Sequence, residues 1–279
     1  MQSAVLRGRE HTRYGGVAVV GEGATAIALS IGGAPKIYSH KDPNEDVAAF
    51  AQDAGGVLIA VSDGHGGCDA AEQVIDQLLQ EHAAAWTGLD AEGLRERWSE
   101  VASDVLLALH HRIVAEATRG GNTSARTTLA LALARPAESW LGWASLGDSH
   151  IFHVGRSGEV VDFAGDAPRG NWFLGHPASP AEDLRARCLA GVEDLGDTRA
   201  VVLVTDGISE RGIGVDVPEH AVAECSERAR TRGALADLVP LDTARSVVQL
   251  SLAAHRRNKS GDNVASAVVW IEDPAATPG

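Results

Sequence analysis

Residues 57–64 read Val-Leu-Ile-Ala-Val-Ser-Asp-Gly, and residues 201–207 read Val-Val-Leu-Val-Thr-Asp-Gly. Each is an apolar, β-branched run of strand length that delivers an aspartate, Asp63 or Asp206, at its carboxyl end. The glycine that follows lets the backbone turn and approach a ligand closely. Two more aspartates stand just ahead of strand-like runs: Asp46 in Asn-Glu-Asp before residues 47–50, and Asp262 in Gly-Asp-Asn before residues 264–271. In an antiparallel pair the end of one strand lies beside the start of its neighbour. A hairpin of 47–50 with 57–62, centred in 53–56, therefore brings Asp46 beside Asp63, and pairing of 201–205 with 264–271 joins Asp206 to Asp262. One Asp-Gly is an ordinary turn. Four aspartates at matched strand ends are a pattern, and both couples then lie at one edge of a sheeted core.

Beyond these four runs, strand-like patterns occur at 17–20, 25–31, 127–134, 140–146, 151–154 and 159–163. Many are only a few turn residues apart, which favours antiparallel hairpins over crossovers through helices. Helices are expected at 68–85 and at about 91–118, where Leu94, Trp98, Val101, Val105, Leu109 and Ile113 recur at steps of three and four. Two further helices are expected near 217–230 and 242–257. Residues 165–196, rich in turns and with one short helical pattern at 181–189, read as a flap-like surface insertion in a single domain spanning 1–271. Residues 272–279 read as a frayed tail.

The 279 residues carry a formal net charge of -14, from 24 Lys and Arg against 38 Asp and Glu, with no basic block. Nucleic-acid and anionic-membrane binders need a positive footprint, so both classes are disfavoured. Three cysteines, Cys68, Cys188 and Cys225, without paired Cys-x-x-Cys spacing, argue against a disulfide framework or a zinc site and fit a cytoplasmic location. The amino terminus lacks an apolar signal region, and the mostly apolar stretch 17–31 is too short to span a bilayer.

Gathered carboxylates repel one another, and their proton affinities rise, unless positive charge sits among them. Hard divalent cations, Mg²⁺ or Mn²⁺, suit ligands that are all oxygen. Two such ions about 3.5–4 Å apart lower the pKa of a shared water and clamp both oxygens of an in-line displacement, which points to phosphoester hydrolysis.

The chain resembles the type 2C, metal-dependent Ser/Thr protein phosphatases through a series of motifs in order: Asn-Glu-Asp at 44–46, Val-Ser-Asp-Gly-His-Gly-Gly at 61–67, Thr-Ser-Ala-Arg-Thr-Thr-Leu at 123–129, Leu-Gly-Asp-Ser-His at 146–150, Thr-Asp-Gly at 205–207 and Gly-Asp-Asn at 261–263. The resemblance runs from about residue 40 to 271. It implies an α+β, four-layer αββα sandwich of two antiparallel sheets flanked by helices. It also implies two Mn²⁺ or Mg²⁺ ions: Asp63 bridges them, Asp46 and the Gly64 carbonyl serve one, and Asp206 and Asp262 serve the other. Asp148 matches a position that in many members helps Asp206 hold a third, weaker metal. His65 falls where some members carry a histidine proposed to protonate the leaving alkoxide; the alternative is a loop histidine that orients a metal-bound water.

Three departures stand out. Lys41 occupies the position where the family usually has a phosphate-gripping arginine, and a lysine supplies charge without the bidentate fork; alternatively it is a solvated loop lysine. Arg126 replaces a common glycine and is either a second phosphate contact or a surface change. Asp-Asn-Val-Ala at 262–265 lacks the usual final hydroxyl. Trp172 and His176 in the flap could shape peptide selection. The expected partners are phosphorylated targets of a Ser/Thr kinase, met by a stand-alone monomeric enzyme. The competing reading is a catalytically silent phosphatase-like binding module. Gly-Glu-Gly-Ala-Thr-Ala at 21–26 imitates a dinucleotide-binding fingerprint, but a strand-like run follows it where a helix is required.

Overall fold

The computed structural model describes residues 1–36, 40–89, 93–165, 172–232 and 238–271. The tail expected at 272–279 and residues 166–171 of the expected flap lie outside them. The chain opens with β1 (Gln2–Arg7), β2 (Ala18–Glu22), β3 (Thr25–Ser30), β4 (Val47–Asp53), β5 (Gly56–Ser62) and the short β6 (Gly64–His65). Helix α1 (Asp69–Gln77), a π-helical turn (Leu78–Ala83), α2 (Ala84–Thr87) and the long α3 (Leu94–Thr118) follow. Next come β7 (Arg126–Thr127), β8 (Leu129–Arg135), β9 (Trp140–Leu146), β10 (His150–Gly155) and β11 (Val160–Asp162). The chain then forms α4 (Ala181–Arg187), β12 (Leu189–Asp194), β13 (Thr198–Val204), α5 (Pro218–Thr231), α6 (Val239–Asn258) and β14 (Val264–Trp270).

Two six-stranded antiparallel sheets result, ordered β1-β4-β5-β8-β9-β12 and β11-β10-β13-β14-β3-β2. Their facing sides enclose one apolar layer, and helices cover the outer face of each, giving the expected four-layer αββα sandwich. Because both faces of a central strand are covered, apolar residues run on continuously and the alternation is of size instead of polarity. In β8, Ala130, Ala132 and Ala134 face the other sheet, while Leu129, Leu131 and Leu133 face the helices. Burying each of those leucines contributes about 1.5–3 kcal/mol.

Helix α3 buries Trp98, Leu109 and Ile113 of the expected stripe against the first sheet. Trp98 lies where a Cβ on Gly142 of β9 would meet its ring at 2.5 Å, and its indole N–H donates to the Trp143 carbonyl at 3.0 Å. The helix expected at 68–85 is not uniform. Leu78 and Ala83 are both fully buried, a step of five that an α-helix cannot keep on one face and that the π turn accommodates. Within the span expected as a flap, Leu189–Asp194 is an edge strand paired in register with β9, from Leu189 opposite Ser145 to Asp194 opposite Trp140. That part of the span belongs to the first sheet. Among the described residues, no helix is long and apolar enough to cross a membrane.

Candidate metal centre

The two strand pairings anticipated from the aspartates are present. In the β4–β5 hairpin Val47 lies opposite Ser62 and Asp53 opposite Gly56, so Asp46 and Asp63 flank the same end. In β13–β14, Val204 lies opposite Ser266, and the Thr205 N–H donates to the Ala265 carbonyl at 3.0 Å. Asp206 and Asp262 thus meet at the corresponding end of the second sheet. Asp148 reaches the same place from the turn between β9 and β10, where the chain passes from one sheet to the other.

Carboxylate oxygens of Asp63, Asp148 and Asp206 lie within 4.8 Å of one another. Burial and the surrounding carboxylates push the Asp63 pKa well above the usual range, with Asp206, Asp46, Asp262 and Asp148 all contributing. Asp206 is raised in the same way by burial, Asp262, Asp148, Asp46 and Glu210. Asp46 is raised to about 7, chiefly by burial. Lys36, together with hydrogen bonding from Thr205 and Asp63, holds Asp46 back from rising further, against the push of Asp262. All five aspartates picked out from the sequence are therefore brought together.

Neighbouring backbone and hydroxyls fix this geometry. The Asp63 carbonyl accepts the Thr128 N–H at 3.0 Å and the Thr127 hydroxyl at 2.7 Å. The Asp63 N–H donates to Thr128 Oγ1 at 3.2 Å, and the Thr128 and Ser149 hydroxyls are 3.0 Å apart. The Thr-Thr pair thereby ties Asp63 to the turn that carries Asp148. A Cβ on Gly64 would lie 2.6 Å from the Glu45 carbonyl oxygen, and one on Gly207 only 1.9 Å from that of Asn263. From the sequence these two glycines serve ligand approach. In the structure they make room for the backbone that carries Asp46 and Asp262.

His65 and Lys41 sit at the rim. His65 Nδ1 is 3.8 Å from Asp63 Oδ1, and burial lowers its pKa, with Asp148 opposing and Arg126 assisting. His65 lies opposite Arg126 in the β6–β7 ribbon. Both approach Phe173, the imidazole with its centroid 4.5 Å away and the guanidinium carbon 5.0 Å away. Lys41, 54% exposed, has its ammonium 3.8 Å from Asp69. Trp172 packs against Arg187, and His176 accepts the Ala178 N–H, within their own segment. Burial pushes the Cys68 thiol up to about 12, with Glu72 adding to it, so no thiolate forms beside the site.

Several residues of this centre were not singled out from the sequence. Lys36 Nζ is 2.8 Å from Asp262 Oδ1, with both side chains only 6% exposed. Asn263 Oδ1 accepts Lys36 Nζ and the Glu45 N–H, and its amide donates to the Ile31 and Pro43 carbonyls. His150 bridges Asp162 and Ser209, 2.6 Å from each, and so clamps the turn after Asp206 to β10 and β11. His255 Nε2 donates to the Gly207 carbonyl at 2.7 Å while Nδ1 accepts the Gly33 N–H. The Asp-Asn and Asp-Ser-His motifs named the places of Asn263 and His150, but no sequence signal points to Lys36.

The profile of the family described as Protein phosphatase 2C matches residues 33–241. No curated protein matches the sequence. A bacterial serine phosphatase superposes with a TM-score of 0.63 at 19% identity, over 90% of this chain and 98% of its own. The serine-threonine phosphatase 2C of Toxoplasma gondii gives 0.64 at 17% identity, over 92% and 99%. The catalytic domain of the serine threonine protein phosphatase PstP, solved with two manganese ions, gives 0.57 at 18% identity, over 91% and 99%. At such identities the superpositions speak for the fold alone, and the profile match, spanning most of the sequence, adds the lineage: the chain belongs to the protein phosphatase 2C family.

Proposed function

We propose that the protein is a metal-dependent phosphoprotein phosphatase that hydrolyses phosphoserine and phosphothreonine by direct attack of an activated water. The observation that carries this reading is the meeting of Asp63, Asp148 and Asp206 within 4.8 Å, beside buried Asp46 and Asp262. The donor set fits hard divalent cations. All its side chains are carboxylates, and Asp46 Oδ1 and Asp148 Oδ1 are buried without a hydrogen-bond partner among the described residues. Asp46, Asp63, the Gly64 carbonyl, Asp206 and Asp262 would hold two Mn²⁺ or Mg²⁺ ions, and Asp148 with Asp206 a third. When bound, such ions supply Lewis acidity and lower the pKa of water.

The rest is done by the chain's own groups. Arg126 presents a planar fork beside His65 and meets the substrate phosphate, with Lys41 adding charge at the rim. His65 hands a proton to the departing serine or threonine oxygen, and its lowered pKa makes the protonated form a stronger acid. Targets of a Ser/Thr kinase are the matching partners. The free cysteines, with Cys68 and Cys225 both pushed to about 12 by burial, suit the cytoplasm.

Turnover of p-nitrophenyl phosphate and of phosphopeptides with Mn²⁺ tests the proposal. Chelation should abolish it, and Asp63→Asn should lower kcat by about 10³-fold or more. A wild-type protein that binds Mn²⁺ yet turns over none of these substrates would be a binding module instead.

A further inference from the structure

A cation of the chain's own sits among the carboxylates. Lys36 Nζ lies 2.8 Å from Asp262 Oδ1 and 2.8 Å from Asn263 Oδ1, and the charges of Asp46 and Asp63 act on it as well. Asp262 Oδ1 also accepts the Asn263 N–H at 2.7 Å, so its two lone pairs already face two donors. With both side chains 6% exposed, little water screens this pair. An ammonium and a divalent ion on one buried carboxylate repel each other, so the two compete for Asp262.

We infer that Lys36 is an internal competitor for the divalent cation at Asp262: its ammonium occupies that end of the aspartate cluster and leaves it when the ion binds. The inference rests on reading the cluster as a metal site. Its consequence is that the protein carries its own brake on metal uptake, which ties occupancy of the Asp262 position to the free concentration of the ion. Such a lysine also explains how so many buried carboxylates coexist in one folded chain, since it neutralises part of their charge until an ion replaces it.

Two measurements test this. Mn²⁺ binding, followed by calorimetry and by the paramagnetic resonance of free Mn²⁺, is compared between wild type and Lys36→Met, which keeps the unbranched stem and removes the charge. The variant should bind one ion about tenfold tighter or more. In the wild-type protein, an amine-acylating reagent read out by mass spectrometry should leave Lys36 unmodified in chelator and modify it as Mn²⁺ saturates, with exposed Lys259 as the control. The second measurement stands even where the variant folds poorly. Unchanged or weaker Mn²⁺ binding in a folded variant, or a Lys36 that stays shielded at saturating Mn²⁺, overturns the inference while leaving the metal site intact. Absence of Mn²⁺ binding in both proteins overturns the metal reading itself, and this inference with it.

Discussion

Thr205 shows how one side chain joins the two halves of the centre. Its hydroxyl donates to Asp46 Oδ2 at 2.8 Å and accepts the Ala265 N–H at 2.9 Å. The loop before β4 is thereby bound to β13 and β14, and the aspartate couple of one sheet to that of the other. Asp-Asn-Val-Ala lacks a supporting hydroxyl of its own, yet Ala265 is served through its backbone by Thr205. Thr205→Val preserves shape and removes both bonds, taking a donor from a buried carboxylate and the side-chain acceptor from a buried N–H. Each group left short of a partner costs about 1–3 kcal/mol, so a loss of about 2 kcal/mol or more is expected in urea unfolding with chelator present. A denaturation midpoint equal to that of wild type would show that the hydroxyl does not hold the two couples together.

The two-stranded β6–β7 ribbon sets His65 and Arg126 side by side. Burial lowers the pKa of His65, and the Phe173 ring lies against both His65 and Arg126. Lys41 instead stands half exposed against Asp69. The ribbon therefore predicts that Arg126→Ala raises KM for a phosphopeptide about tenfold or more with a smaller change in kcat, as expected for loss of a charge-assisted contact. Lys41→Ala should raise it less, and steady-state kinetics on both variants decide which cation meets the phosphate. Strands flanked on both sides were legible in the sequence because burial of both faces leaves unbroken apolar runs such as those of β5, β8 and β13. Of the edge strands, β2 and β11 coincide with the runs at 17–20 and 159–163, whereas β1 and β12 went unread. The exposure patterns of β1 and β12 are mixed, and Gly191 in β12 serves close approach to the Trp143 ring. The π turn after α1 escaped for a related reason: its step of five is set by where the sheet needs Leu78 and Ala83, a demand that no local propensity records.

Across the protein as a body, the same distinction separates what the sequence disclosed of the centre from what it hid. Antiparallel pairing rules carry Asp46 to Asp63 and Asp206 to Asp262 from the strand ends alone. Lys36 and Asn263 meet where the chain leaves β3 and enters β14, and the Asp162–His150–Ser209 chain ties β11, β10 and the turn after β13, so these contacts depend on side-chain reach within one sheet that strand pairing alone does not record. Closing the sandwich concentrates carboxylates at one edge of a chain whose net charge is already -14, and this links metal uptake to stability. Asp46, raised from 3.8 to about 7 by burial, binds a proton in the folded state over a range where the unfolded chain does not. Its contribution to stability is thus full below the unfolded value and is lost as pH rises through the folded one. Asp63 and Asp206 are raised in the same direction. A divalent cation binds the ionised form, so its stabilisation must grow over the same interval in which the proton's fades. The gain in Tm on adding Mn²⁺, relative to chelator, should therefore be small near about pH 5.5 and increase steadily toward about pH 8. Thermal unfolding by circular dichroism at several pH values measures it. A gain that does not vary with pH would mean that the ion binds somewhere other than these protonated carboxylates.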